Sequence, residues 1–358
     1  MPNNFVMAGA VEEARFRDAL KADPESVSAL LELGRFLTAH SHDREAASLF
    51  RRALRIDSTD VDARFYLGEL LHAYVENRDE AVSLLRGVLT ADPDRVVGYR
   101  VLASCLLQQD KRSEAIAVLR EWVKRAPDDP AARHLLAAAS HEAIPLRASD
   151  DFVRQTFDDS ADYFDALLRD TLHYCAPEVL MAALQRNSTL TDASSVCDFG
   201  CGTGLCAPLL RPLATSLVGV DLSERMIEKA RALSLYDALS VAEGTAFLLG
   251  DICAYDLIFA ADTLEYFGAL DELMKVAFAA LRGAGIIAFT VEKQPDDRGS
   301  GFELGDTGRY RHSAAYVLKQ LSEAGFIDVD LSVATVRIEA GRAVAALVVI
   351  AHKPPDTR

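Results

Sequence analysis

The stretch VCDFGCGTGLC, Val196–Cys206, sets Gly200, Gly202 and Gly204 at every second position behind Asp198 and threads Cys197, Cys201 and Cys206 among them. An apolar run ending in an acid and passing into spaced glycines reads as a strand that stops in a tight turn. There the chain reverses, and bare backbone can lie against a ligand that any Cβ would displace. A metal, a dinucleotide and some other cofactor are the three candidates. A dinucleotide fingerprint needs its third glycine at position 205, where Leu205 stands. The cysteines are separated by three and four residues, unlike the C-x3-C-x2-C of a cluster site, and the chain has no C-x2-C pair or histidine cluster. No metal is expected, and the thiols read as small buried side chains.

Around this turn, short apolar runs alternate with helical patterns: SVCDF, SLVGVDL, ALSVA, YDLIFAAD, GIIAFTVE, DVDLSVATVRIE and AVAALVVIAHK. Such alternation predicts a parallel sheet with helices on both faces. The last two runs meet across Ala340–Arg342, too short for a crossover, so the final strand must run antiparallel to its predecessor. Asp221 ends the second run, at the tip of a strand where a carboxylate can accept hydrogen bonds from ribose hydroxyls. Upstream, AIPLRASDD (Ala143–Asp151) has the composition of a linker, and residues 152–186 read as amphipathic helices broken at Pro177.

The D-x-G-x-G-x-G spacing resembles the S-adenosylmethionine loop of class I methyltransferases. That resemblance implies a Rossmann-like sheet of seven strands in the order 3-2-1-4-5-7-6 with the last antiparallel. It also implies that Asp198, Gly200, Cys201, Gly202, Gly204 and Asp221 hold the cofactor. The adenine is then expected between the second and third strands, walled by Leu222 and Met226. Glu243 is the expected acceptor for the exocyclic amine, or Asp251 if the third strand lies elsewhere. The runs YDALSVAE, YDLIFAADTLEYFGALDEL, FTVEK and RYRHSAAYVLKQLSEAGF, with FDDSADYFDALLRDTLHYCAP before the first strand, resemble a bacterial group of methyltransferases with an N-terminal tetratricopeptide domain. The likeness spans nearly the whole chain and implies that residues 152–186 form a lid over the cofactor. It is silent on the methyl acceptor.

The first half carries a repeat. Leu33-Gly34, Leu67-Gly68, Leu102-Ala103 and Leu136-Ala137 recur at intervals of 34, 35 and 34 residues, Ala46, Ala81 and Ala115 are each followed four residues on by Phe50, Leu85 or Leu119, and Pro24, Ser58, Pro93 and Pro127 punctuate the units. This resembles the tetratricopeptide repeat, a helix, a turn and a second helix. Three repeats are expected, 25–58, 59–93 and 94–127, with flanking helices near 11–22 and 129–142. The expected domains are 1–145, all helical, and 146–358. The solenoid offers a groove for a protein partner, or serves to brace or oligomerise the enzyme. His40, His42 and His72 look exposed, whereas Trp122 occupies a small-residue position and is expected in the core.

The 358 residues are 50% hydrophobic with a net charge of −16. The first 145 carry 19 basic and 23 acidic side chains, leaving 19 and 31 for the rest. So acidic a second half repels phosphate backbones and argues against nucleic acid, as does ADTLEY after the fourth strand, which lacks the prolines of amino-methylating DNA enzymes. No apolar run is long enough for a membrane span, and the N-terminus lacks a secretory pattern, so a soluble cytoplasmic protein is expected. The sequon Asn187-Ser188-Thr189 reads as coincidental. Acceptor-side groups are expected from Asp262, Tyr266, Glu292 and Arg309–Ser313. His312 is the candidate base or a backbone partner, Arg309 and Arg311 candidate carboxylate ligands or solvated charges, and Asp262 a cofactor or acceptor ligand or a helix cap. Ser313 is placed to cap the next helix. A small-molecule oxygen or nitrogen acceptor is favoured. A protein side chain delivered through the repeat groove, or a non-catalytic scaffold keeping the cofactor fold, are the alternatives.

Overall fold

The computed structural model describes residues 3–40, 42–187, 194–295, 301–339 and 341–356, with side chains from residue 11 onward except those of Val75 and Asp170. Ser188 and Thr189 of the sequon, and Ala340 of the last turn, lie outside the described residues. The chain forms two compact units, Met1–Ser140 and His141–Arg358.

In the first unit α1 (Asn3–Ala22) precedes three helix pairs, α2 (Val27–Ala39) with α3 (Asp43–Ile56), α4 (Val61–His72) with α5 (Arg78–Ala91), and α6 (Val96–Gln108) with α7 (Arg112–Arg125), and α8 (Pro130–Ser140) closes the series. Ser26 and Asp60 start α2 and α4 by accepting hydrogen bonds from the Ala29 and Ala63 amides. The small residues of the repeat do the work expected of them. A Cβ on Gly34 would lie 2.4 Å from the Phe50 ring, and one on Gly68 3.0 Å from Leu85. The paired helices can cross only because those side chains are missing. Trp122 is buried and donates its indole N–H to Asp129 at 3.2 Å. His72 is half-buried, not exposed, and pairs with the Ser104 hydroxyl at 2.9 Å.

The second unit opens with α9 (Asp150–Ser160), α10 (Phe164–Ala166), a π-turn at Leu167–Thr171 and α11 (Ala176–Asn187). Strands and helices then alternate: β1 (Ser194–Phe199), α12 (Ala207–Leu210), β2 (Ala214–Asp221), α13 (Glu224–Ala232), β3 (Ala238–Val241), α14 (Gly244–Leu249), β4 (Tyr255–Ala260), α15 (Asp271–Ala280) and β5 (Leu281–Lys293). A hairpin of β6 (Phe302–Leu304) and β7 (Tyr310–His312), then α16 (Ala314–Ala324), β8 (Ile327–Glu339) and β9 (Arg342–His352) complete it. β3, β2, β1, β4 and β5 lie side by side and parallel; β9 joins β5 antiparallel, and β8 joins β9. With β8 and β9 as the expected sixth and seventh strands, this is the expected order with its reversed final strand. Among the described residues the sheet carries nine strands, the seven expected and the short pair β6 and β7. β7 runs parallel to the far end of β5, at Glu292 and Lys293, beyond the point where β4 stops.

Alternate residues feed the two faces of the sheet. Cys197, Phe199, Ile258 and Phe289 pack with α15 and α16, whereas Val196, Leu257, Phe259 and Ala288 pack with α11 and α12. Fully burying one such large apolar side chain contributes about 1.5–3 kcal/mol. The presumed linker is also more ordered than its composition implies. The Leu146 carbonyl accepts from the Gly268 and Ala269 amides at 2.9 and 2.7 Å, Ala148 N donates to the Tyr266 carbonyl at 2.8 Å, and the Tyr310 hydroxyl donates to the Pro145 carbonyl at 2.9 Å. Residues 145–148 thus form a strap over the loop after β4.

Candidate cofactor and acceptor site

At the carboxyl end of β1 all three loop glycines take the left-handed conformation, with φ of 70°, 54° and 91°. Two of them are also pinned by packing, since a Cβ on Gly200 would strike Thr263 at 2.2 Å and one on Gly204 would meet Leu233 at 2.7 Å. Gly202 differs: nothing lies within 4 Å of where its Cβ would be. Its backbone therefore borders free space, as a ligand cradle requires. The loop is tied to β2, because the Gly200 and Cys201 amides donate to the Val220 carbonyl and the Gly202 amide donates to Asp221 Oδ2 at 2.9 Å. Ser223 N donates to the other Asp221 oxygen at 2.9 Å, and the Leu222 amide also bonds the carboxylate. Burial holds the Asp221 carboxyl above its ordinary range.

Asp198 is buried and accepts a hydrogen bond from the Tyr236 hydroxyl at 2.6 Å. Burial pushes its pKa up to about 7, against the lowering effect of Tyr236. Tyr236 has no signal in the sequence, lying in the short turn LSLYD between α13 and β3. Leu222 is half-buried and Met226 fully buried at the start of α13. Glu243 lies two residues past β3 and uses both oxygens to cap α14, accepting from Thr245 N at 3.1 Å and Ala246 N at 2.7 Å. Asp251 lies past α14 and accepts from the Tyr255 hydroxyl at 2.5 Å. Cys197, Cys201 and Cys206 are buried and free, their thiols pushed well up by burial, and no group of metal-ligating side chains occurs among the described residues.

Segment 150–171 crosses this end of the sheet. Asp165 accepts from the Thr203 hydroxyl at 2.6 Å, Asp158 from the Ser223 hydroxyl at 2.5 Å, Asp162 pairs with Arg225 at 2.6 Å, and the Phe157 ring meets Tyr266 edge-on with centroids 5.5 Å apart. The helices before the first strand therefore reach the glycine loop, the tip of β2 and the loop after β4.

The groups expected on the acceptor side converge on a residue that sequence reasoning missed, Arg337 of β8. This guanidinium is buried; it grips both oxygens of Asp262 at 2.5 and 2.7 Å, reaches Glu339 at 2.8 Å, bonds Glu292 and lies 3.6 Å from Glu265. Arg309 pairs with Glu292 at 2.6 Å and Glu339 at 2.5 Å, and Arg311 pairs with Glu292 at 3.3 Å and Glu303 at 3.7 Å. Neither arginine is a solvated charge. Asp262 does not cap a helix: it sits at φ 57° with its amide on the Thr290 hydroxyl. Burial pushes the Asp262 carboxyl up, but Arg337 and a hydrogen bond with Glu265 outweigh it and hold it low. Burial and the Asp262 charge push Glu265 well up.

His312 lies inside the fold. The imidazole is fully buried, its Nε2 lies 3.0 Å from the Gly268 carbonyl, and its ring stacks against Tyr316. Burial lowers its pKa to about 4. This burial and pairing match the backbone-partner alternative for His312. Ser313 caps α16 through the Tyr316 amide, as expected.

The comparisons with known proteins fall on the same two units. A family described as Methyltransferase domain matches residues 168–327, and two tetratricopeptide-repeat families match 8–61 and 75–139. Trans-aconitate 2-methyltransferase of Paracidovorax citrulli is 34% identical over 119 residues, 30% of this chain and 42% of that protein. Malonyl-[acyl-carrier protein] O-methyltransferase of Priestia megaterium is 32% identical over 98 residues, 27% and 36% of the two chains. The chain thus spans about two-fifths of the length of these relatives. An S-adenosylmethionine-dependent methyltransferase from Mesorhizobium loti is 21% identical, with a TM-score of 0.38, over 49% of this chain and 96% of that one. Tetratricopeptide-repeat matches in the first unit are thus followed by a methyltransferase-domain match in the second. No helix among the described residues is long and apolar enough to cross a membrane.

Proposed function

We propose that the chain methylates a small-molecule oxygen or nitrogen nucleophile with S-adenosylmethionine, and that the repeats recruit a protein partner or a second copy. The observation that carries this reading is the open space over Gly202 beside the Asp221 carboxylate at the tip of β2. Those features fit a nucleoside with a free ribose edge and a flexible tail. The cofactor supplies an activated methyl group. Gly200, Cys201, Gly202 and Gly204 let its tail approach the backbone, Asp221 holds the ribose hydroxyls, Leu222 and Met226 flank the adenine with Glu243 at its edge, and Asp198 receives the ammonium. Segment 150–171 excludes water, and Asp262, Tyr266 and Glu292 stand on the acceptor side.

Methyl transfer of this kind is an in-line displacement, so holding nucleophile and methyl carbon in line and dry supplies most of the rate. No buried histidine needs to act as base. The test is incubation of the full chain with methyl-labelled cofactor and a cell extract, followed by separation by size. Label in the small-molecule fraction is expected. Label confined to protein shifts the reading to a protein methyltransferase fed through the repeat groove, and no transfer despite cofactor binding returns the domain to a scaffold.

A further inference from the structure

We infer that the face formed by the first helix of each repeat, α2, α4 and α6, binds an extended segment of a partner protein that carries two carboxylates about five or six residues apart. The inference rests on the reading that the repeats recruit a partner, and it names what that partner presents. Stacked repeats expose a continuous surface along such a row of helices. Arg35, Glu69 and Ser104 occupy it at equivalent positions, each directly after the small residue Gly34, Gly68 or Ala103, and Arg100 lies one turn before Ser104. Side chains meet along the row from helix to helix. The Arg35 guanidinium lies 5.2 Å from the ring centroid of Tyr66 on α4, and His72 of α4 bonds the Ser104 hydroxyl of α6 at 2.9 Å. Glu69 is solvent-accessible, yet the protein around it desolvates its carboxylate and raises its pKa, with Arg100, Arg95 and Arg35 opposing. A side chain both accessible and crowded is recessed between its neighbours.

The charge on this row selects the occupant. Elsewhere in the unit Arg17, Arg51, Arg86, Arg95 and Arg125 each pair with a carboxylate of the same chain. Among the described residues Arg35 and Arg100 are exposed and form no ion pair or hydrogen bond, and Glu69 between them forms none either. Two open cations therefore flank one recessed carboxylate. An extended chain laid across the row offers a carboxylate to each arginine and an N–H to Glu69, and guanidinium forks suit carboxylates. α4 contacts both α2 and α6. Packed helix axes lie about 8–10 Å apart, so Arg35 and Arg100 stand about 16–20 Å from each other, about five or six residues of extended chain at roughly 3.3 Å each.

The experiment selects from a library of random dodecapeptides on the full chain and measures the enriched sequences by fluorescence anisotropy. Sequences with a pair of Asp or Glu at that spacing are expected, and their affinity should weaken as salt is raised. It should fall about fivefold or more in Arg35→Gln, in Arg100→Gln and when either peptide acid becomes an amide. Arg44→Gln, which removes an exposed cation from α3, should leave it unchanged. Circular dichroism checks that each variant keeps its helices, and the peptide substitutions test the same contacts in the unaltered chain. Enriched peptides without the paired acids, or with equal affinity for the Arg35 and Arg100 variants, overturn the inference and leave recruitment standing. No enriched sequence overturns it too, and a monomer in sedimentation then counts against the recruitment reading as well.

Discussion

Asp198 shows how one hydroxyl sets the working range of a site. A carboxylate this deeply buried resists ionisation, and its proposed role as partner of the cofactor's ammonium needs it ionised. Tyr236 moves it in the required direction by donating at 2.6 Å, while Asp221 pushes the other way and Cys197, Cys201 and Cys206 are the remaining titratable neighbours. With Asp198 lifted to about 7, cofactor affinity is expected to fall as pH drops below 7 and protonates it, by up to about tenfold per unit. Tyr236→Phe removes the lowering contact, so the acid limb of a calorimetric affinity profile should move to higher pH. A profile flat between pH 5 and 8 in both proteins contradicts this role. His312 carries the opposite sign. Its depressed folded pKa gives stability that is fully present above about 6.5 and is lost as pH falls through about 4. In His312→Gln, which keeps a donor near the Gly268 carbonyl, denaturant titrations should lose that part of the acid dependence, on the order of 3 kcal/mol.

Among the elements, the segment over the sheet end is held by a few polar latches. Asp165→Ala removes the partner of the Thr203 hydroxyl in the glycine loop and is expected to weaken cofactor binding by about 0.5–1.5 kcal/mol, read mainly as faster dissociation in stopped flow. An unchanged off-rate means that this contact does not hold the segment down. Elements of this unit differ in how far they can be read from sequence, and the reason is range. β1, β2, β4, β5, β8 and β9 announce themselves as apolar runs, and the glycine turn as local spacing. β6 and β7 are three residues each, FEL and YRH, too short and too charged for any periodicity. Arg337 sits in a strand that alternates polar and apolar residues, and nothing local ties it to Asp262, 75 residues earlier in the chain. Only β9, inserted between β5 and β8, brings them together. The residues proposed to hold the cofactor could therefore be picked out from local spacing, whereas the ionic cluster around Arg337 depends on long-range pairing.

For the molecule as a whole, the two units divide the labour by surface chemistry. One stacks helices around small residues such as Gly34 and Gly68; the other spends its glycines on a turn with open space at Gly202. The acidic balance of the second unit, the ionic cluster around Arg337 and the cradle beside Asp221 agree with a cationic cofactor and a metabolite acceptor. The central claim is that this cradle binds S-adenosylmethionine. Isothermal calorimetry on the full chain tests it most directly, with the Asp221→Ala variant alongside. The expected result is one binding site for S-adenosylmethionine, weakened by roughly 1.5–3 kcal/mol in the variant, and no heat with a nicotinamide dinucleotide. Heat with the dinucleotide and none with S-adenosylmethionine, or equal affinity in the variant, would contradict it.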